Sequence, residues 1–218
     1  MKLFLCSDTH GANPPDLQDP DAVAWLHAGD VYHQGSASKE AKAHRFGNLT
    51  NWISAQSLPV YAVHGNHDCY FDMPFFQKAE RVSGRCIEIA PDLLLAGFGW
   101  HGSEFYDLPL ERDMQKVCAE VKREWLMRSM PNHKLIFLSH YPPWVPEFYP
   151  IENPKNYYTC LRELVDELKP IAVVQGHEHQ QFKKVFNYEK DGHKSLFVYP
   201  GNFGGVLEIA DDVNYYPA

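Results

Sequence analysis

The sequence is poor in cysteine pairs, in long apolar runs and in positive charge. Its five cysteines, Cys6, Cys69, Cys86, Cys118 and Cys160, are widely scattered with no CxxC spacing. That pattern argues against a disulfide framework or a thiolate zinc site, and leaves the cysteines as small core residues. No stretch approaches ~18 apolar residues, so no membrane span is expected. The opening MKLFLCSDTHG reaches Asp8 after a short apolar run, which is no signal peptide, and the cytoplasm is the expected location. Against 28 Asp+Glu there are 20 Lys+Arg, a formal charge of −8 with no basic block. Passive attraction to nucleic acid or anionic lipid is therefore disfavoured. There is no internal repeat, low-complexity tract or linker, and 44% hydrophobic with 22% charged residues is an ordinary globular composition. A chain of 218 residues can bury roughly 70% of its unfolded surface, and a single domain over 1–218 is expected.

Short apolar runs predict strands at Leu3–Cys6, Val23–His27, Val60–Val63, Arg85–Ile89, Leu93–Phe98, Leu135–Ser139, Ile171–Gln175, Phe182–Tyr188, Ser195–Tyr199 and Val206–Ile209. Helical stripes lie between them: Phe46, Leu49 and Ile53; Met114, Val117, Val121 and Trp125; Leu161, Leu164, Val165 and Leu168, stopped by Pro170. Asp191-Gly192 marks a hairpin near the end of the chain. Alternating strands and helices with a terminal hairpin predict α/β layers containing parallel and antiparallel strands. The segment Tyr141–Asn156, with five prolines and four aromatics, is too proline-rich for a helix and reads as a lid or a self-packed surface loop.

What the chain has in surplus is histidine, twelve in all. Five short signatures fall in order, each at the end of a predicted strand: Asp8-Thr9-His10, Gly29-Asp30, Gly65-Asn66-His67-Asp68, Ser139-His140 and Gly176-His177-Glu178-His179. Strand ends of α/β sheets are where ligand sites form. Composition alone yields a DxH about once per chain of this kind, but a GNHD only about once in five hundred, so the second carries the weight. Asp8 and His10, two residues apart at a strand end, can offer one oxygen and one nitrogen to the same ion, and His177 and His179 repeat the spacing. With Asp30, Asn66 and His140 the ligand-type side chains number seven. These are too many for one tetrahedral site and suit two divalent ions sharing a carboxylate. Mixed Asp, Asn and His ligands accept Mn, Fe, Co, Ni or Zn, with Mn expected to support activity in vitro.

The ordered set DxH, GD, GNHD, H and GHxH resembles the calcineurin-like metallophosphoesterase superfamily over residues 8 to 179. The resemblance implies an α/β four-layer sandwich of two mixed β-sheets flanked by helices. It implies that Asp8, His10, Asp30 and His179 hold one metal, and Asp30, Asn66, His140 and His177 the other. It also implies that His67 sits beside the substrate phosphate as general acid, with Asp68 orienting its ring and keeping it protonated. One feature departs from the Ser/Thr protein phosphatase branch, where an Asp-Arg comes after the shared carboxylate and grips phosphate. Here Gly29-Asp30 runs into Val31-Tyr32-His33-Gln34 without an arginine. A doubly charged monoester gains most from such a guanidinium fork, so its absence favours diesters. The expected protein is a metal-dependent phosphoester hydrolase, acting on a small-molecule phosphodiester by attack of a metal-bridging hydroxide. The alternatives are a non-catalytic scaffold of the same fold and a nuclease.

The remaining candidates have plainer readings. His27 and His64, at strand ends, either fill the core or support a ligand. His33 and His101 sit in loops from which they could reach substrate, whereas His44, His133 and His193 are expected in solvent. Trp144, Phe148 and Tyr149 either stack on a substrate ring or pack on one another. Cys69 comes directly after Asp68, but no triad surrounds it and it is not expected to act as a nucleophile.

Overall fold

The structure is a computed structural model and describes residues 1–32, 48–68, 74–100, 108–148 and 157–218. His33, His44, His101, Tyr149 and Cys69 fall outside those residues. Twelve strands are present: β1 Lys2–Cys6, β2 Ala22–His27, β3 Val60–Ala62, β4 Glu80–Arg81, β5 Cys86–Ala90, β6 Leu93–Phe98, β7 Lys134–Ser139, β8 Ala172–Gln175, β9 Val185–Lys190, β10 His193–Val198, β11 Gly205–Ile209 and β12 Val213–Pro217. A helix, α1, has its described part at 48–55. After it come α2 Pro74–Lys78, α3 Glu111–Arg128 and α4 Thr159–Leu168.

The strands form two six-stranded sheets, ordered β12-β11-β1-β2-β3-β4 and β5-β6-β7-β8-β10-β9. In the first, β1 to β4 are parallel neighbours and β11 and β12 are antiparallel additions. In the second, β6, β7, β8 and β10 are parallel, with antiparallel β5 and β9 at the edges. Alternation along β1 sorts its side chains. Leu3 and Leu5 join the core between the sheets, with Leu26, Ile136, Leu138 and Val174, whereas Phe4 and Cys6 face outward to Trp25, Leu49 and Phe75. On the opposite side Phe137, Val173 and Phe197 meet Met114, Cys118 and Val121 of α3 and Leu161, Leu164 and Val165 of α4. Three stacked cores therefore separate four layers, and strands buried on both faces read as continuous apolar runs.

Local chemistry accounts for the connections. Helix α4 ends at Lys169, left-handed at φ 52°, whose N–H bonds to Val165 O just before Pro170 stops the chain. Asp191 and Gly192, at φ 49° and 73°, make the two-residue turn that pairs Lys190 with His193. Strand β9 starts at Val185, three residues after the expected Phe182, because Lys183 turns left-handed at φ 65°. His133 and His193 are half-buried rather than solvated: His133 Nδ1 accepts the Met130 N–H, and a ring nitrogen of His193 lies 2.9 Å from Pro170 O. Phe148, in the proline-rich segment, stacks on Phe186 at 4.8 Å and meets Phe197 edge-on, and Val145 and Trp144 pack on the same core. The described part of that segment is thus packed on the body. Among the described residues no helix is long and apolar enough to cross a membrane.

Burial separates two leucines sharply. Leu138→Ala, in the fully buried layer between the sheets, is expected to cost about 3 kcal/mol. Leu126→Ala, on the exposed face of α3, should stay within about 0.5 kcal/mol. Urea unfolding of the two variants checks both.

Candidate metal centre

The sequence motifs meet at one end of the sandwich, where the parallel strands β1, β2, β3, β7 and β8 deliver their C-terminal loops. Asp8, Asp30, Asn66 and His140 are buried, while His10, His67 and His177 are partly so. His179 is the most open, with 55% of its side chain exposed. The loops are tied to one another through the backbone. Asp8 N–H bonds to Gly29 O at 2.9 Å and His10 N–H to Asp30 O at 3.1 Å. His177 N–H donates to the Asp8 carboxylate at 3.1 Å, and His67 N–H to Asp30 Oδ1 at 2.9 Å. Asp8, His10, Asp30 and His177 all adopt left-handed φ between 48° and 68°, a conformation costly for residues with a Cβ. Four strained residues in one site imply that the surrounding bonds over-determine it. Two motif glycines are fixed by space: a Cβ on Gly65 would collide with Asp30 Oδ1, and one on Gly29, at φ 85°, would lie 2.7 Å from His140 Nδ1.

Three sets of donor atoms each converge within 4.8 Å: Asp8, His10 and His179; His10, Asp30 and His67; Asp8, Asp30 and His140. Asn66 and His177 extend the last, with Asn66 Oδ1 2.9 Å from His177 Nδ1 and 3.1 Å from His140 Nε2. All seven expected ligands are thus in one cluster with Asp8 and Asp30 at its middle. The protonation of His140 tests the fit to a cation. Its Nδ1 lies 2.8 Å from Ala28 O, which can only accept, so Nδ1 carries the proton. Burial holds the ring's pKa below its ordinary value, so the ring is neutral and Nε2 is a bare lone pair. That lone pair faces Asn66 Oδ1 and, at 3.5 Å, Asp30 Oδ1. Acceptor set against acceptor is the arrangement a metal ion resolves. Burial likewise lowers His177 to about 3, leaving it neutral. At the open side His10 Nε2 and His179 Nε2 meet at 3.2 Å, and Asp8 Oδ1 lies 3.4 Å from the latter.

The two carboxylates differ. Burial would raise Asp8, but the hydrogen bond from His179 holds it at about 2. Asp30 is pushed well above the carboxylate range by burial, then by Asp8 and Asp68 beside it. Adjacent buried carboxylates repel, and a shared cation offsets that repulsion.

Asp68 has backbone partners that the motif does not announce. Its carboxylate accepts backbone N–H groups from Val31 at 3.2 Å, Tyr32 at 3.0 Å and Gly65 at 3.0 Å. It is fully buried and clamps the GNHD loop to the loop carrying Asp30, and the carboxylate within ion-pair range of the His67 ring is Asp30, at 3.7 Å. Backbone amides leave no trace in a sequence, so pairing with His67 is the only role the motif itself suggests. His27 resolves in favour of support. The Thr9 hydroxyl donates to Val31 O, so His27 Nε2, 3.1 Å away, must donate to Thr9 Oγ1, bracing the turn between Asp8 and His10. His64 instead stacks on Phe76 at 4.2 Å. The Ala28 carbonyl and Phe182, whose ring lies 4.8 Å from His179, carry no sequence signal that marks them as part of the site.

Asp68→Ala leaves three buried N–H groups without their acceptor, and should lower stability by about 2–5 kcal/mol and metal affinity at least about tenfold. Thermal unfolding and competitive metal titration check this. Unchanged metal affinity would return Asp68 to acting through His67 alone.

A sequence model of the calcineurin-like phosphoesterase family matches residues 1–181. No curated protein matches the chain. Among solved structures, TT1561 of Thermus thermophilus shares 16% identity at TM-score 0.63, over 99% of this chain and 98% of its own. The phosphopantetheinyl hydrolase PptH of Mycobacterium tuberculosis shares 15% identity at TM-score 0.57, over 92% of this chain and 89% of its own. Those similarities establish the fold, and the family match covers most of the chain, including every motif of the metal centre. The chain belongs to the calcineurin-like phosphoesterases.

Proposed function

We propose that the chain is a binuclear metal-dependent phosphoester hydrolase that prefers diesters. One observation carries the reading: Asp8, His10 and Asp30 each belong to two of the three converging donor sets, and one of those sets joins both buried carboxylates with His140. Asp8, His10, Asp30 and His179 would hold one divalent ion, and Asp30, Asn66, His140 and His177 the second. When bound, such a pair of ions polarises a phosphoryl oxygen and makes water a competent nucleophile near neutral pH. Everything else is the work of the chain's own groups. The Ala28 carbonyl keeps the His140 proton on Nδ1 and Nε2 turned inward. Asp68 and His27 keep the two carboxylate loops in register.

His67 is the residue proposed to move a proton. Its Nε2 lies 3.7 Å from Asp30 Oδ2 and its side chain is 14% exposed, so the ring edge can meet a leaving oxygen while its backbone N–H stays fixed on Asp30. A proton held at Nε2 would neutralise the departing alkoxide or phenolate. Retention of that residue weighs against the non-catalytic reading. The diester preference is supported by the two residues after Asp30: Val31 and Tyr32 are both fully buried, so neither position presents a side chain to grip a dianionic phosphate. We read 1–218 as one domain, because β11 and β12 return from the chain's end to complete the sheet containing β1.

Chelated protein reloaded with Mn²⁺ should hydrolyse bis(p-nitrophenyl) phosphate faster than p-nitrophenyl phosphate; no metal-dependent turnover of either overturns the enzyme reading. His67→Ala should keep its metal by elemental analysis while kcat falls about 10²- to 10⁴-fold. Loss of both metals in that variant would contradict the division of roles.

A further inference from the structure

A groove of about 650 Å³ opens between α2 and β4 on one side and α3 with the end of β6 on the other. That is within the range of small-molecule sites. Its wall adjoins the loops of the metal centre along the chain. His64, which lines it, immediately precedes Gly65-Asn66, and Gly99 packs so closely on the His64 backbone that a Cβ there would approach His64 N at 2.6 Å. The residue before Gly99, Phe98, accepts the backbone N–H of the ligand His140 at 3.2 Å.

In a chain with a net charge of −8 this groove gathers two guanidinium groups, Arg81 from β4 and Arg85 from the turn after it. Among the described residues Arg81 has no carboxylate within ion-pair range. Arg85 meets Glu80 at 3.2 Å, a pair in which both side chains are nearly half exposed and which a better anion can displace at little cost. Ser83 Oγ, between the two arginines in sequence, is buried without a hydrogen-bond partner. The remaining wall mixes Gln77 with Trp100, Val117 and the face made by His64 on Phe76. Besides Glu80, a second acid faces the arginines, Glu120, whose carboxylate lies over Gly84. Two arginines on the wall of a part-apolar groove can recognise an anionic group joined to a carbon skeleton.

We infer that this groove is a subsite for a second anionic group of the substrate, so that the favoured phosphoesters carry a further phosphate or carboxylate on the arm nearer Arg81 and Arg85. This rests on the phosphoester reading above and narrows it from phosphodiesters in general to those with a charged arm. Glu120, like Glu80, weakens the attraction by offsetting part of the arginines' charge.

The p-nitrophenyl esters of thymidine 5′-phosphate with and without a 3′-phosphate differ by one anionic group and release the same chromophore. With Mn²⁺-loaded protein the 3′-phosphorylated ester is expected to show a KM about tenfold lower, the return from one or two charge-assisted hydrogen bonds. In the Arg81→Ala/Arg85→Ala variant the ratio of the two KM values should collapse to about one, and in Glu120→Gln it should widen, a change of opposite sign that general damage to the fold would not produce. Equal KM values for the two esters in the unmodified protein overturn the subsite. Calorimetric titration of thymidine 3′,5′-bisphosphate into metal-free protein separates the two readings. If neither ester is cleaved but binding weakens about tenfold on loss of the arginines, the hydrolase reading fails and the subsite stands. If binding ignores both the arginines and Glu120, the subsite falls whatever the turnover.

Discussion

Asp8 and Asp30 place two carboxylates side by side in a space that leaves each residue only 2% exposed, and the rest of the site is arranged around that constraint. Burying one carboxylate without a partner is costly, and burying two together adds their repulsion. The protein answers partly with its own groups: His177 N–H on Asp8, His67 N–H on Asp30, and the imidazole of His179 near Asp8. These do not exhaust the need, since the neutral His140 turns its Nε2 lone pair toward the same centre. A bound cation would complete the balance, while the backbone bonds of the site hold the left-handed conformations of Asp8, His10, Asp30 and His177.

The scaffold makes this concentration possible because both sheets point the C-terminal ends of parallel strands to the same edge. The first sheet brings Asp8, Asp30 and Asn66, and the second brings His140 and His177. The layer of apolar side chains between the sheets fixes how far apart those two sets lie, so packing of Leu26, Leu138 and Val174 is upstream of metal geometry. Asp68 then works between neighbouring loops of the first sheet, joining the amides around Asp30 to that of Gly65.

Most of this was legible in the sequence wherever side chains carry the signal. The seven proposed ligands stand out through motif chemistry, and the strands that carry them through apolar runs buried on both faces. Elements outside that pattern escaped. Strand β4 is two exposed residues, Glu80 and Arg81, with no room for alternation. Helix α2 is five residues, too short for a helical period. Strand β12 is an edge strand carrying Asn214 and ending at Pro217, and it is held mainly by its ladder to β11. Roles played through the backbone were equally silent. The Ala28 carbonyl that sets the His140 tautomer and the three amides that occupy Asp68 have no residue-type signature. The groove with Arg81 and Arg85 was hidden for a different reason: its walls come from α2, β4, β6 and α3, and only the fold brings them together.

The shared-carboxylate centre is tested most directly by titrating metal-free protein with Mn²⁺ while recording electron paramagnetic resonance. Two ions per chain whose spectra show exchange coupling are the expected result, because two ions sharing the Asp30 carboxylate would lie only about 3.5–4 Å apart. Saturation at a single ion, or two ions with independent, uncoupled signals, would contradict it.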